Sequence, residues 1–279
     1  MSMRVFLKVA LGVAFAVGLL CAQQGGPKPL TVKSKGEADA VMAFQTALQS
    51  QNPDTIIKAA DDLVTKYADS DFKTFALYYS AEAYNMKNDY DKTVIFAERT
   101  LQADPKHYQA MLLLAGAMAQ RTREHDLDRE EKLGTVEKYV KQADEILKTA
   151  PKPNPNLPDD QWEMLKKNFA SQGMEALGLA ALARSQYDKA ADQFKKAMEL
   201  DATPNPGTML RLAIAYDKSQ KYDDALAILD KIMALPNLHP QIRQVAQAER
   251  VRVIQAKGGS DAKAPSPGVP PAQGGTKQP

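Results

Sequence analysis

ALGLAALARSQYDKAADQFKKAMEL, residues 176–200, is followed by a second stretch of the same design, LRLAIAYDKSQKYDDALAILDKIMAL, residues 210–235. Three residues of the first stretch recur 35 positions later in the second: Tyr187 as Tyr222, Ala190 as Ala225 and Phe194 as Leu229. Self-similarity with a period of this length is typical of solenoids, in which stacked helix pairs bury a continuous core. The two stretches therefore predict a repeat protein.

Helix signals continue outside these two stretches, and the sequence from 37 to 256 shows no convincing strand alternation. In VEKYVKQADEILK, residues 136–148, apolar residues recur at intervals of three, four and seven and so share one helix face. Asn52-Pro53 and Asn205-Pro206 each predict a helix start, because asparagine caps a helix and proline is tolerated at its first position. The whole body is expected to be all-α.

The repeated residues resemble the tetratricopeptide repeat, whose first helix carries Leu-Gly and an aromatic residue and whose second helix carries spaced alanines around a large apolar residue. The unit that begins near Ser171 fits best, with Leu177-Gly178, Tyr187, Ala190, Phe194 and Ala197. A second unit begins near Thr74, and the first unit, near Val41, is weak. The resemblance covers about residues 37–237 and implies a right-handed solenoid of about five antiparallel helix pairs. The polar-faced segment 240–257 is predicted to be the capping helix that closes it.

One unit, the third, is too long. RTREHDLDREEKLG, residues 121–134, holds nine charged residues and a histidine, and Tyr108 to Pro151 spans about twelve residues more than a standard unit of roughly 31. We therefore predict an insertion at about 122–133, between the two helices of the unit. Insertions map to one face of a solenoid, so this one is either a partner contact or a solvated loop.

The two ends of the chain do not have the pattern of folded domains. Residues 1–22 have a basic start with Arg4 and Lys8, then twelve apolar residues, then Ala22, which is the layout of a secretory signal peptide. Twelve residues are too few for a membrane-spanning helix, which needs about twenty. Residues 23–36 are predicted to be a flexible spacer, and residues 257–279, rich in proline and glycine, a disordered tail.

These features predict an exported protein, periplasmic or secreted, whose mature chain begins at Gln23. Cys21 leaves a second interpretation open, because a bacterial lipoprotein signal ends in a cysteine that becomes acylated. The bulky Leu20 before Cys21 does not suit such a signal. We expect membrane attachment only if Cys21 is lipidated.

Charge and motif content exclude several classes of function. The formal net charge of +2 falls to about zero once Arg4 and Lys8 are removed, which argues against a nucleic-acid partner. The sequence has no P-loop, HExxH, GxSxG or cysteine pair, so we predict no enzyme activity, cofactor, metal or small-molecule substrate. Of the three histidines, His107 and His239 fall at predicted helix starts, and the His125-Asp126 pair lacks the further ligands of a metal site.

Family resemblance also implies where a partner would bind. In tetratricopeptide repeat proteins the first helices line a concave groove that takes an extended peptide or a partner helix. The groove positions carry over to Phe75, Tyr78, Glu82, Asn85, Leu112, Glu175, Leu179, Leu210, Ile214 and Asp217. This set implies a mixed groove with few cations. The alternative is that some of these residues, especially Leu112 and Leu179, pack against neighbouring helices.

The resemblance thus implies a non-catalytic scaffold or adaptor of the cell envelope that binds a protein or peptide. The lysine clamp of the members that bind chaperone tails is missing, since Gln45, Tyr78, Leu112, Glu175 and Leu210 stand at its positions. The alternative is a component of outer-membrane assembly anchored through Cys21, because residues 66–94 are similar to a lipoprotein of that type.

Overall fold

The computed structural model describes residues 30–201, 203 and 205–258, and every regular element within them is an α-helix. The helices in chain order are α1 (Lys35–Ser50), α2 (Pro53–Lys66), α3 (Lys73–Met86), α4 (Tyr90–Ala103), α5 (Tyr108–Arg121), α6 (Arg129–Thr149), α7 (Asp159–Ala183), α8 (Tyr187–Leu200), α9 (Pro206–Lys218), α10 (Tyr222–Met233) and α11 (Pro240–Ala256). The all-α prediction is confirmed. The predicted signal peptide, Cys21 and nearly all of the predicted tail lie outside the described residues.

The described helices form five antiparallel pairs stacked into a solenoid, with α11 packed on the last pair. We call α1, α3, α5, α7 and α9 the first helices, and α2, α4, α6, α8 and α10 the second helices. Each helix packs on the next in the chain, and α5 also packs broadly against α7. This stacking places the first helices side by side.

Three of the pairs are closed by the same turn. Asn88, Ser185 and Gln220 end the first helices α3, α7 and α9 in the left-handed conformation, with φ of 58°, 58° and 63°. The next backbone N–H then donates back into the helix: Asp89 to Tyr84 O at 3.0 Å, Gln186 to Ala181 O at 2.9 Å and Lys221 to Tyr216 O at 2.8 Å. This is the Schellman motif, which satisfies carbonyls at a helix end. A tyrosine begins the second helix each time, at positions 90, 187 and 222.

The third pair lacks that turn. Thr122 follows α5 in extended conformation, and its hydroxyl donates to Met118 O at 2.8 Å. Residues 122–128 connect the helices, and α6 begins at Arg129 and runs for 21 residues. The extra residues of this unit are therefore divided between a connecting loop and a longer second helix.

The helix-start predictions are confirmed by the caps. Asn52 Oδ1 accepts from the N–H groups of Asp54 and Thr55 at 3.0 and 3.1 Å, and Asn205 Oδ1 accepts from Gly207 at 2.8 Å. The two histidines at helix starts act in the same way. Their Nδ1 atoms accept backbone hydrogen bonds, in His107 from Ala110 N–H at 3.2 Å and in His239 from Gln241 N–H at 3.3 Å.

Close packing between paired helices explains the small residues of the best-matching unit. A Cβ atom added to Gly178 of α7 would lie 2.6 Å from a ring carbon of Phe194 in α8, which is buried. Ala190 and Ala197 are buried on the same face of α8. Only hydrogen at position 178 lets the phenylalanine ring lie against the α7 backbone.

Several helices begin earlier than the sequence pattern indicates. Helix α7 starts at Asp159, twelve residues before Ser171, and it includes the buried Trp162. Helix α1 starts at Lys35, before Val41. The end of the predicted spacer is also structured: Ser34 caps α1, and Thr31 Oγ1 donates to Asp71 Oδ2 at 3.0 Å.

Candidate partner-binding groove

The predicted groove residues all lie on first helices, but they differ in exposure. Helix α3 carries the most accessible group: the Phe75 side chain is 43% exposed, Asn85 is exposed, and Tyr78 and Glu82 between them are half-buried. These four residues are spaced at three and four positions and so share one face of α3. An apolar anchor thus lies beside polar groups on one helix.

Tyr78 and Glu82 form a hydrogen-bonded pair in the middle of this face. The Tyr78 hydroxyl donates to Glu82 Oε1 at 2.8 Å. Burial raises the pKa of the Glu82 carboxyl, and the hydrogen bond from Tyr78 opposes that rise. Burial, together with the nearby Glu82 charge, raises the pKa of Tyr78 well above its ordinary value. Within the described chain no Lys, Arg or His forms an ion pair with Glu82.

Aromatic contacts link α3 to the first helices on either side. The Tyr79 ring lies 6.1 Å from Phe44 of α1, between ring centroids, and 5.2 Å from Tyr78. Tyr78 lies 4.8 Å from the ring of His107 at the start of α5. The pKa of His107 is lowered, chiefly by burial, so the neutral ring is favoured at this position.

Leu112 and Leu179 are held by intramolecular packing. Leu112 of α5 is only 4% exposed and packs with Met111, Ala143 and Leu147. Leu179 of α7 is half-buried and packs against two core clusters, around Ala176 and around Ala181. In this arrangement Leu112 offers almost no surface to a partner.

The remaining groove positions lie on α7 and α9, and two of them bond to another helix. Glu175 of α7 accepts a hydrogen bond from the Thr208 hydroxyl of α9. Asp217 of α9 is 5% exposed and forms an ion pair with Arg252 of α11. Leu210 and Ile214, also on α9, are half-buried. At the α9 end, therefore, Asp217 contributes to the contact with the terminal helix, and Leu210 and Ile214 keep some accessible surface.

The charged loop at 122–128 is largely neutralised by its own contacts. Lys132 lies 2.9 Å from Asp128 and 3.9 Å from Asp126, and Asp126 Oδ2 also accepts from Arg123 N–H at 3.0 Å. The Glu124 carboxylate accepts from the Ser185 hydroxyl at 3.2 Å, which fastens the loop to the α7–α8 turn. In the described part of the chain, no three His, Cys, Asp or Glu side chains come together to hold a metal ion.

Sequence reasoning missed a polar pocket beside this loop. It has a volume of about 250 Å³ and lies between the α3–α4 turn and the end of α5. Its polar lining residues are Asn85, Asn88, Tyr90, Gln120, Arg121 and Arg123. Asn85 was predicted for the groove, so the pocket opens beside the α3 face. The available signal was the pair of arginines on either side of Thr122, which the sequence showed only as part of a charge cluster.

Comparisons with known proteins agree with this architecture. Residues 181–248 match the tetratricopeptide repeat family. The comparison with curated proteins gave no match. None of the helices within the described ranges is long and apolar enough to span a membrane.

Three solved structures show the same fold at low identity. A tetratricopeptide repeat protein of Thermus thermophilus is 17% identical, with a TM-score of 0.53, over 76% of this chain and 98% of that one. PilF of Pseudomonas aeruginosa is 15% identical, with a TM-score of 0.54, over 82% and 89%. MamA of Desulfovibrio magneticus is 14% identical, with a TM-score of 0.51, over 72% and 96%. Residues 181–248 thus match the tetratricopeptide repeat family by sequence, and the described helices from α1 to α11 share the fold of these solved structures.

Proposed function

We propose that this chain is a non-catalytic scaffold or adaptor of the cell envelope that binds an extended peptide or a helix of a partner protein along its first helices. The fold supports the general part of this proposal, since tetratricopeptide repeat proteins are generally interaction scaffolds. The observation that carries it is the α3 face, where the exposed Phe75 lies beside the half-buried Tyr78 and Glu82.

The chemistry of this face suits a partner with an apolar side chain next to a hydrogen-bond donor. Covering Phe75 would remove apolar surface from water, which favours binding by about 25 cal/mol for each Å² buried. Glu82 has no cationic partner among the described residues, and burial disfavours its charged form. A donated hydrogen bond or a cation from the partner would stabilise that charge, so the partner is expected to place a donor there.

Site-specific photocrosslinking tests this groove assignment. Phe75 on the first helix α3 and Ile95 on the second helix α4 are both large, apolar and exposed, by 43% and 51%. A photoreactive phenylalanine analogue is introduced at each position in turn, and the full chain is crosslinked in extract from the source cells. We expect a specific product from position 75 and a much weaker one from position 95. The same product at equal yield from both positions would contradict binding along the first helices.

Export is supported by the residue pattern of the first 22 positions, and its test is separate. We expect mass spectrometry of the purified mature chain to find an unmodified start at Gln23. A diacylated start at Cys21 would instead favour the alternative, an envelope-assembly component anchored to a membrane. Retention of Met1 and the whole leader in the mature protein would overturn both forms of the envelope assignment.

A further inference from the structure

The polar pocket between the α3–α4 turn and the end of α5 has an unusual charge composition. Arg121 and Arg123 are its only charged lining residues, and neither guanidinium forms an ion pair with a carboxylate of the described residues. The Arg121 guanidinium lies over the Tyr90 ring, 5.2 Å from its centroid. A cavity with two unpaired cations and no lining carboxylate favours an anion.

The acidic side chains near the pocket do not supply this anion. Each acid of the loop has another contact: Asp128 pairs with Lys132, Asp126 accepts from the backbone N–H of Arg123, and Glu124 accepts from the Ser185 hydroxyl. Asp91 is exposed and does not line the pocket. Burial and the nearby charge of Asp91 both raise the pKa of the Tyr90 hydroxyl. The two guanidinium groups therefore keep their hydrogen-bonding capacity for another molecule.

Both arginines lie where α5 ends and the connecting loop begins. Thr122 is extended and buried, and its hydroxyl is bound to Met118 O, so its side chain points into the helix pair. Arg121 is the last residue of α5 and Arg123 directly follows Thr122. Both line the pocket together with Asn85, Asn88 and Gln120, whose amides add neutral donors.

The corresponding arginine of the fourth unit shows the contrasting arrangement. Arg184 directly follows α7 in the fourth unit, but it is paired with Glu130 at 2.8 Å and Glu137 at 2.7 Å. Its charge is used to join α7 to α6. The third unit has the cations without such partners.

We propose that this pocket is an oxyanion-binding subsite that receives a carboxylate of the partner segment bound along the first helices. A guanidinium binds a carboxylate through two parallel hydrogen bonds, and two arginines with three side-chain amides can surround both oxygens. Asn85 belongs to the α3 face as well as to the pocket, so a segment lying across Phe75 and Tyr78 can direct an acidic side chain or its C-terminal carboxylate into it. This assignment rests on the proposed function for the source of the carboxylate, whereas the pocket's affinity for the anion does not.

Titration of the full chain with small anions tests the subsite without a partner. The probes are N-acetylglutamate and inorganic phosphate at constant ionic strength, and the readout is the NMR shift of the arginine Nε–H groups. We expect saturable shifts of Arg121 and Arg123 with N-acetylglutamate. The double variant R121Q/R123Q should weaken binding about tenfold or more, and R121K/R123K, which keeps the charge, should lose part of the affinity. Circular dichroism checks that each variant is folded.

A matched control distinguishes binding in the pocket from non-specific attraction between the anion and the positive charges of the protein. Lys195 and Lys196 are exposed on α8 and form no ion pair with the described residues, so K195Q/K196Q removes the same charge elsewhere. Its affinity for N-acetylglutamate should stay within about twofold of the parent. Equal weakening in this control, or no saturable shift up to the solubility of the probe, would overturn the subsite. Tighter binding of phosphate than of N-acetylglutamate would overturn the carboxylate assignment. Failure of the Phe75 crosslink alone would leave the subsite standing and remove the proposed partner position.

Discussion

Single residues set how closely the paired helices approach, and Gly178 offers the sharpest test. An alanine Cβ at this position would lie within 2.8 Å of three Phe194 ring atoms. Gly178→Ala should therefore lower the free energy of unfolding by about 1–3 kcal/mol, because the ring has to move within a packed core. Denaturant unfolding measures the change.

Gly134 supplies the control for this substitution. It lies within α6, and nothing comes within 4 Å of a Cβ atom placed there. Gly134→Ala should raise the free energy of unfolding by about 0.5–1 kcal/mol, since alanine is the better helix former. If both substitutions stabilise the chain, the close contact of Gly178 with Phe194 is not a constraint on the fold.

Glu82 gives stability a dependence on pH. Its folded-state pKa is raised by burial, so the folded chain binds the proton more tightly than the unfolded chain does. The contribution of this group to stability is therefore greatest below the unfolded pKa, near 4.5, and is lost as the pH rises through the folded pKa. Glu82→Gln should raise the free energy of unfolding at pH 7 and leave it nearly unchanged at pH 4. The control Glu98→Gln, on an exposed position of α4, should show no such difference.

Local chemistry is what the sequence predicted well at the scale of residues. Asn52 and Asn205 cap their helices as expected, because a cap depends only on neighbours in the chain. The burial of Leu112 and the pairing of Asp217 with Arg252 depend on helices that are distant in sequence. A repeat pattern assigns such residues to a face but does not show what another unit places over it.

Helix lengths were harder to predict than helix positions. The repeat pattern gives each helix a standard length, whereas α6 and α7 extend to 21 and 25 residues. For α6, a contact with the end of α7 favours the extra first turn. Arg184 at the end of α7 reaches both Glu130 and Glu137 of α6, and Glu130 lies in the first turn of α6.

Removing that contact should loosen the start of α6. Arg184→Met is expected to raise amide hydrogen exchange several-fold for the residues around Glu130, because an opening of that turn becomes easier by about 1 kcal/mol. Lys189→Met is the matched control, since Lys189 is exposed and lies only at 3.9 Å from Glu137. Exchange in α2 should not change in either variant. Equal exchange at Glu130 in the two variants would show that Arg184 does not fasten this turn.

At the scale of the whole molecule, each helix pair is stabilised by contacts with its neighbouring pairs, so the ends of the array need a covering element. Helix α11 closes the end at α9 and α10 by burying Ala246 and Val253 and by pairing Arg252 with Asp217. Asp217 is buried and one of its oxygens, Oδ1, has no hydrogen-bond partner within the described residues. The ion pair with Arg252 is therefore the main compensation for that buried charge.

Arg252→Met should accordingly destabilise the terminal helix by about 1–3 kcal/mol, because a buried carboxylate loses its cation. The double variant D217N/R252M should recover part of the loss, since the remaining amide is neutral. Arg250→Met removes a pair with Asp230 that is exposed on both sides, and its effect should be below about 1 kcal/mol. Denaturant unfolding measures all three. If R252M and R250M have equal effects, burial of Asp217 does not set the strength of this end.

The connection at 122–128 makes the third unit the natural place to lengthen this protein. Leu127 at its tip is fully exposed, while Thr122 and Lys132 anchor the chain on either side. Doubling the length of a flexible connection costs only about 0.6 kcal/mol in closure entropy. A fluorescent reporter or an affinity tag placed after Leu127 would leave the tight turns of the second, fourth and fifth units intact. The same loop that interrupts the regular repeats is thus a site at which foreign sequence can be inserted while the helix stacking is kept.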